Sequence, residues 1–201
     1  MTRVILVRHG ETDWVKEDKY QGNSDIPLNE RGIDQAKLVA DRLKDEKIDI
    51  TYTSELSRAI RTAEEILKFH SVKLIKNKEI NERGYGKWEG LTKKEVQEKY
   101  PGDFDEYQKN RYPTRPTAGE SFVDIRNRVE PFIKKIVEEN KDKNILIVCH
   151  NGPLRVILGI LMNYTNEKIA SLYFGITSLT IINLSGEEPT LEVVNCDKHM
   201  N

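Results

Sequence analysis

Two histidines stand where apolar runs end. Arg8-His9-Gly10-Glu11-Thr12 follows Val4-Ile5-Leu6-Val7, and Cys149-His150-Asn151-Gly152 follows Ile145-Leu146-Ile147-Val148. A neutral imidazole is a competent nucleophile near neutral pH, and attack on phosphorus would split a hydrolysis into forming and then breaking a phosphohistidine. His9 is the candidate nucleophile. Neighbouring side chains on a strand point to opposite faces, so Arg8 and His9 share a ligand only if the chain turns there, which Gly10 makes easy. An isolated histidine is ordinarily a strand cap or a satisfied core residue. The flanking arginine, the glycine and the second strand-end histidine argue otherwise here.

Phosphoryl transfer needs cations and donors around the phosphoryl oxygens, and with no metal-ligand spacing in the chain arginine is the natural supplier. Arg8 is one. Arg58 is another, in the first turns of a helix that Ser54 can open, where free N–H groups also favour an anion. The plainer reading makes Arg58 or Arg61 a surface residue paired with Glu55 or Glu65, and spacing leaves both readings open. His150 is placed by the same strand-end logic and would donate to the phosphoryl oxygens, with Asn151 and Gly152 opening the next helix towards them. Arg155, one turn on, reads as structural. A metal held by His9, His150 and a carboxylate is disfavoured by the two arginines beside it. The acid that protonates the leaving alkoxide comes from a carboxylate in a glycine-rich loop: Glu11, Glu82, Glu89 or Glu120.

Positioning these groups requires a sheet. Periodicity predicts strands at 3–7, 49–53, 72–76, 145–149, 177–184 and 190–195. Helices lie between most of them: one capped by Asn29, one by Ser54, one by Ser121 and one over about 154–161. This alternation predicts an α/β fold, a three-layer α/β/α sandwich on a mainly parallel sheet, in which ligands bind beyond the carboxyl ends of the strands. Three irregular stretches, 14–28, 81–92 and 111–120, are the expected binding loops. Short helices over 93–100 and 104–110 make a lid-like excursion around 92–120. Tyr20, Tyr85, Trp88, Tyr107 and Tyr112 could stack on a substrate ring, and Lys16, Lys19, Lys87, Arg111 and Arg115 could meet a second anion.

Length and charge bound the rest. The 201 residues suit a single domain, 1–201. Lys and Arg number 32 against 33 Asp and Glu, for a net charge of -1, so no footprint for nucleic acid or a membrane surface is expected. Two cysteines make no disulfide framework and fit a reducing compartment. With no signal-peptide core and no membrane-length apolar run, a soluble cytoplasmic protein is expected. Nothing in the sequence sets an oligomeric state.

Five segments together resemble the histidine phosphatase superfamily, the phosphoglycerate mutase-like group. They are Arg8-His9-Gly10-Glu11-Thr12-Asp13-Trp14, Leu28-Asn29-Glu30-Arg31-Gly32, Ser54-Glu55-Leu56-Ser57-Arg58-Ala59 with Thr62-Ala63, Asn81 to Gly90, and Val148-Cys149-His150-Asn151-Gly152. The resemblance implies a phosphoglycerate mutase-like fold and a phosphohistidine mechanism without metal or other cofactor. It makes His9 the nucleophile, Glu82 the proton donor, and Arg8, Arg58 and His150 the phosphate pocket. One departure is Val15, where the family usually has an asparagine that contacts phosphate; Gln21 or the backbone near Gly22 is the expected substitute.

The compact segment between Glu82 and His150, and the Gly86-Lys87-Trp88-Glu89-Gly90 loop, resemble the phosphatase branch that includes α-ribazole phosphatases and broad-specificity phosphatases. The expected activity is hydrolysis of a small phosphorylated metabolite, with α-ribazole 5'-phosphate among the candidates. The alternatives are a phosphoglycerate mutase and, on account of Val15, a weakly active phosphate-binding regulatory module.

Overall fold

The computed structural model describes residues 2–200. Val4, Ile5, Leu6 and Val7 are each wholly buried, as a strand covered on both faces must be. They form the middle of β1 (Arg3–Arg8). After a short helix α1 (Asp13–Lys16) the chain alternates: α2 (Glu30–Leu43), β2 (Ile50–Thr53), α3 (Ser57–Leu67) and β3 (Leu74–Lys76). Next come α4 (Lys93–Lys99), α5 (Pro101–Lys109), α6 (Phe122–Glu139), β4 (Asn144–Cys149), α7 (Asn151–Leu161) and α8 (Asn166–Ser171). The last strands are β5 (Leu179–Asn183) and β6 (Thr190–Cys196). All six expected strands are present.

They form one sheet in the order β3-β2-β4-β1-β5-β6. β1, β4, β2 and β3 pair in parallel, β5 pairs antiparallel with β1, and β6 antiparallel with β5, so β5 alone runs against the others. Alternate residues feed two cores. Ile5, Val7, Leu146 and Val148 pack with Val39, Ala40 and Leu43 of α2 and Ala63 and Ile66 of α3. Val4, Leu6, Ile145 and Ile147 pack with Ile125, Val129 and Ile133 of α6 and Leu154 and Ile157 of α7. Each fully buried aliphatic side chain is worth about 1.5–3 kcal/mol, so the central strands are fixed firmly. The fold is a three-layer α/β/α sandwich on a mainly parallel sheet, as expected.

Helix ends follow the capping chemistry with one correction. Asn29 accepts from the Gly32 N–H at 2.8 Å, and Ser121 and Asp124 form a reciprocal capping box. Ser54, however, does not cap α3, whose first residue is Ser57. The carboxylate of Asp25 accepts from the Ser57 N–H and hydroxyl, both at 2.8 Å, and Ser54 is drawn to His150 instead. A cap supplied from 32 residues away leaves no local signal. Trp88, Val96, Phe104 and Tyr107 make a small core of their own. Trp88 is therefore a packing residue, Tyr112 packs in the α6 core, and Tyr107 both packs here and lines a cleft with Arg111.

Candidate active site

Strand register brings the two histidines together. β1 and β4 are neighbours, with Arg8 opposite Cys149, so the next residue of each strand leaves the sheet at the same place. The His9 and His150 ring centroids lie 5.0 Å apart, with the planes tilted by 58°. Both rings are buried. The His9 Nδ1 lies 2.7 Å from the Gly10 carbonyl oxygen, which can only accept, so Nδ1 carries the proton and Nε2 keeps its lone pair. Gly10 itself is not in the left-handed region. Its requirement is space: a Cβ there would stand 2.3 Å from the Gly32 oxygen, where the His9 loop presses on the start of α2.

The hydroxyl of Ser54 accepts from the Leu56 N–H at 3.3 Å and lies 2.7 Å from His150 Nε2. Among the described residues Nε2 is the one acceptor paired with this hydroxyl, so the hydroxyl gives its proton to Nε2, which places the His150 proton on Nδ1. That nitrogen is buried and has no protein partner.

Two guanidinium groups complete the cluster. Arg58 is wholly buried in the first turn of α3, and its Nη atoms donate to the carbonyls of Ser24 and Gly22, both at 2.8 Å. Arg8 donates to the Phe174 carbonyl at 2.7 Å. The Nε of each is buried without a protein partner. The surface pairing with Glu64 and Glu65 belongs to Arg61.

Three of the four candidate acids are engaged elsewhere. Glu11 takes Asn29 and Arg31. Glu89 takes the N–H groups of Asn23, Ser24 and Tyr85, and Glu120 pairs with Arg128. Glu82 lines the same cleft, of about 470 Å³, as Arg8, Gln21, Gly22 and Asn151. Its Oε1 accepts from the N–H groups of Arg83 at 2.8 Å and Gly152 at 3.0 Å. The Gly152 amide is thus committed to Glu82, and the Gly22 carbonyl to Arg58. The amide oxygen of Gln21 accepts from the Thr12 hydroxyl, and that of Asn151 from the Phe174 N–H. Arg155 holds the carbonyls of Ile169 and Ala170 and stacks on Phe122, a structural role.

Residues 4–197 match the sequence profile of the Histidine phosphatase superfamily (branch 1). The chain belongs to that superfamily. It is similar to phosphoserine phosphatase 1 of Hydrogenobacter thermophilus, 32% identical over 200 residues covering all of this chain and 95% of that one. A phosphoglycerate mutase of Schizosaccharomyces pombe is also 32% identical, over 96% of this chain and 95% of the other. Among solved structures, the alpha-ribazole phosphatase of Shigella flexneri superimposes with a TM-score of 0.89 at 30% identity, covering 96% of each chain.

The electrostatics of this phosphatase favour neutral imidazoles. Burial first, then the Arg58 and Arg8 charges, holds His9 well below the usual 6.5. Burial and Arg58, with smaller effects of His9 and Arg8, do the same for His150. Arg58 is itself pushed down to about 10 by burial, yet stays cationic at neutral pH. Among the described residues no cluster of three His, Cys, Asp or Glu side chains is placed to hold a metal ion, and no helix is long and apolar enough to cross a membrane.

Several lining residues escaped the sequence reading. Tyr173 and Lys93 border the cleft beside Lys19, Tyr20 and Tyr85, and Tyr173 lies 3.4 Å from Arg8 Nη1. Arg83 is buried among the rings of Tyr85, Tyr107 and Phe122. Arg111 lies further along, in an adjoining cleft that shares Lys93 and Tyr173. Lys16 opens into a different depression, and Arg115 is paired with Asp124. Only the three-dimensional course of 166–174 could have pointed to Tyr173.

Proposed function

We propose that this phosphatase is a phosphomonoester hydrolase working through a phosphohistidine on His9, on a small phosphorylated metabolite. The observation that carries the reading is the pairing of a buried imidazole with a free Nε2 and a second imidazole 5.0 Å away. Arg8 and Arg58 both act electrostatically on these rings. In the first step the His9 Nε2 lone pair bonds to phosphorus, the ester P–O bond breaks, and Glu82 gives its proton to the departing alkoxide. In the second, water attacks the same phosphorus, its proton passes to the Glu82 carboxylate, and the P–N electrons return to His9 as inorganic phosphate leaves. Arg8 and Arg58 neutralise the phosphoryl oxygens, and His150 Nδ1 donates to them as their charge grows. No step requires a metal, since guanidinium groups supply the positive charge.

The cleft joins rings (Tyr20, Tyr85, Tyr173) to cations (Lys19, Lys93). This suits a phosphate ester whose other end is a ring or a second anion, α-ribazole 5'-phosphate and phosphoserine included. The excursion within 92–120 brings Lys93 to the mouth, and it is the segment proposed to close over substrate in a single domain, 1–201. Cys149 and Cys196 are free, in keeping with a cytoplasmic location.

Release of phosphate from p-nitrophenyl phosphate is expected to persist in EDTA and to fall on the order of 10³-fold or more in His9→Ala. Acid-labile radiolabel from a phosphorylated substrate should appear on the parent protein and not on that variant. Full activity of His9→Ala, or isomerisation of 3-phosphoglycerate without phosphate release, would overturn the reading.

A further inference from the structure

We infer that Arg128, through Glu120, is a positioning residue for the proton donor; the inference rests on Glu82 being the general acid. Arg128 projects from α6, and its fork meets three groups at once. Nη1 donates to the Glu79 carbonyl at 2.5 Å and Nη2 to the Glu82 carbonyl at 3.2 Å. Nε and Nη2 reach the two carboxylate oxygens of Glu120 at 3.0 and 3.1 Å. Glu120 in turn accepts the Gly84 N–H on Oε2 at 2.8 Å, and its own N–H donates to the Gly84 carbonyl at 2.8 Å. One guanidinium and one carboxylate thereby grip the backbone on both sides of Glu82.

The segment needs such a grip. Residues 81–85 belong to no helix or strand, so their carbonyls and amides have no regular ladder to satisfy them. A guanidinium has five donors in a fixed fork, enough for the four hydrogen bonds Arg128 makes, whereas an ammonium has three and no fork. The side chains of Arg128 and Glu120 are only 18% and 29% exposed, so the pair is held in one arrangement. What the pair supplies is geometry. Arg128 and Glu120 fix where the Glu82 backbone stands, and the Arg83 and Gly152 amides fix where its carboxylate lies. Proton transfer is sensitive to displacements of about 1 Å, which cost on the order of 10²-fold.

Arg128 and Glu120 line a separate cleft with Asn23, Lys78, Glu79 and Asn81, and neither borders the cleft of Arg8 and Glu82. Their loss therefore leaves the phosphate contacts in place and, beyond a small effect of the Arg128 charge on His150, acts on proton delivery.

The test is the dependence of kcat/KM on leaving-group acidity across a series of aryl phosphates from phenyl to p-nitrophenyl. A nitrophenolate departs without a proton, whereas a phenolate gains from one. Glu82→Gln should steepen the dependence, and Arg128→Ala should steepen it too. For Arg128→Ala, phenyl phosphate should fall on the order of 10²-fold, with p-nitrophenyl phosphate nearly unchanged. Arg128→Lys, which keeps the charge and loses the fork, and Glu120→Gln should steepen it less; they carry the comparison if Arg128→Ala fails to fold by thermal melt. Arg126→Ala on the same helix is the control and should leave the slope alone. If Glu82→Gln steepens the slope while the Arg128 and Glu120 variants lower every substrate equally or none, the inference is wrong and the acid assignment stands. If Glu82→Gln leaves the slope flat, the acid assignment falls and takes the inference with it.

Discussion

Ser54 stands 2.7 Å from His150 Nε2, its hydroxyl joining the end of β2 to the end of β4. That one contact sets which nitrogen of His150 carries the proton, and so whether the ring can donate to a phosphoryl oxygen.

Ser54→Ala removes the donor and leaves Nε2 buried without a partner. The ring is then free to take either tautomer, and a fraction of molecules would present a bare nitrogen to the anion. A fall in kcat of about fivefold, with KM little changed and stability lowered by ~1 kcal/mol, is expected. Steady-state kinetics and a denaturant melt measure both, and unchanged kcat would separate Ser54 from the chemistry.

Acid should destabilise the protein through its histidines. In the unfolded chain both imidazoles titrate near 6.5, whereas burial and the Arg58 charge hold them well below that when folded. Between the two values the unfolded chain binds more protons, so the stabilisation is complete above about pH 6.5 and is lost as pH falls towards the folded values. Thermal melts from about pH 7 to about pH 5 should show a falling Tm. The decline should be smaller in a His9→Asn, His150→Gln variant, and equal slopes in the two proteins would contradict the assignment.

Val15 lines the cleft in place of the asparagine usual in the superfamily. It sits in the short helix α1, where its own N–H is already given to Thr12 and its side chain is apolar, so it offers the phosphate nothing polar. Val15→Asn should add one donor, worth about 1–3 kcal/mol, and raise kcat/KM at least severalfold. If kcat/KM stays flat, the neighbouring groups already complete the site.

Local chemistry determined a good deal of this. Apolar runs and alternating patterns marked the six strands, Asn29 and Ser121 announced their helices, and the two strand-end histidines with Arg8 marked the candidate site. Each of these signals lies within a few residues of what it specifies.

The remainder depended on distant partners. Hydrophobicity does not order strands, and only the placement of β4 against β1, with Arg8 opposite Cys149, brings His9 to His150 across about 140 residues of chain. Glu11, Glu82, Glu89 and Glu120 are alike as sequence, and they separate only when each carboxylate finds its hydrogen-bond donors. Ser54 reads as a helix cap until Asp25 takes that task. A buried polar group takes whichever partner the folded chain brings within 3 Å, and no short window of sequence contains that choice.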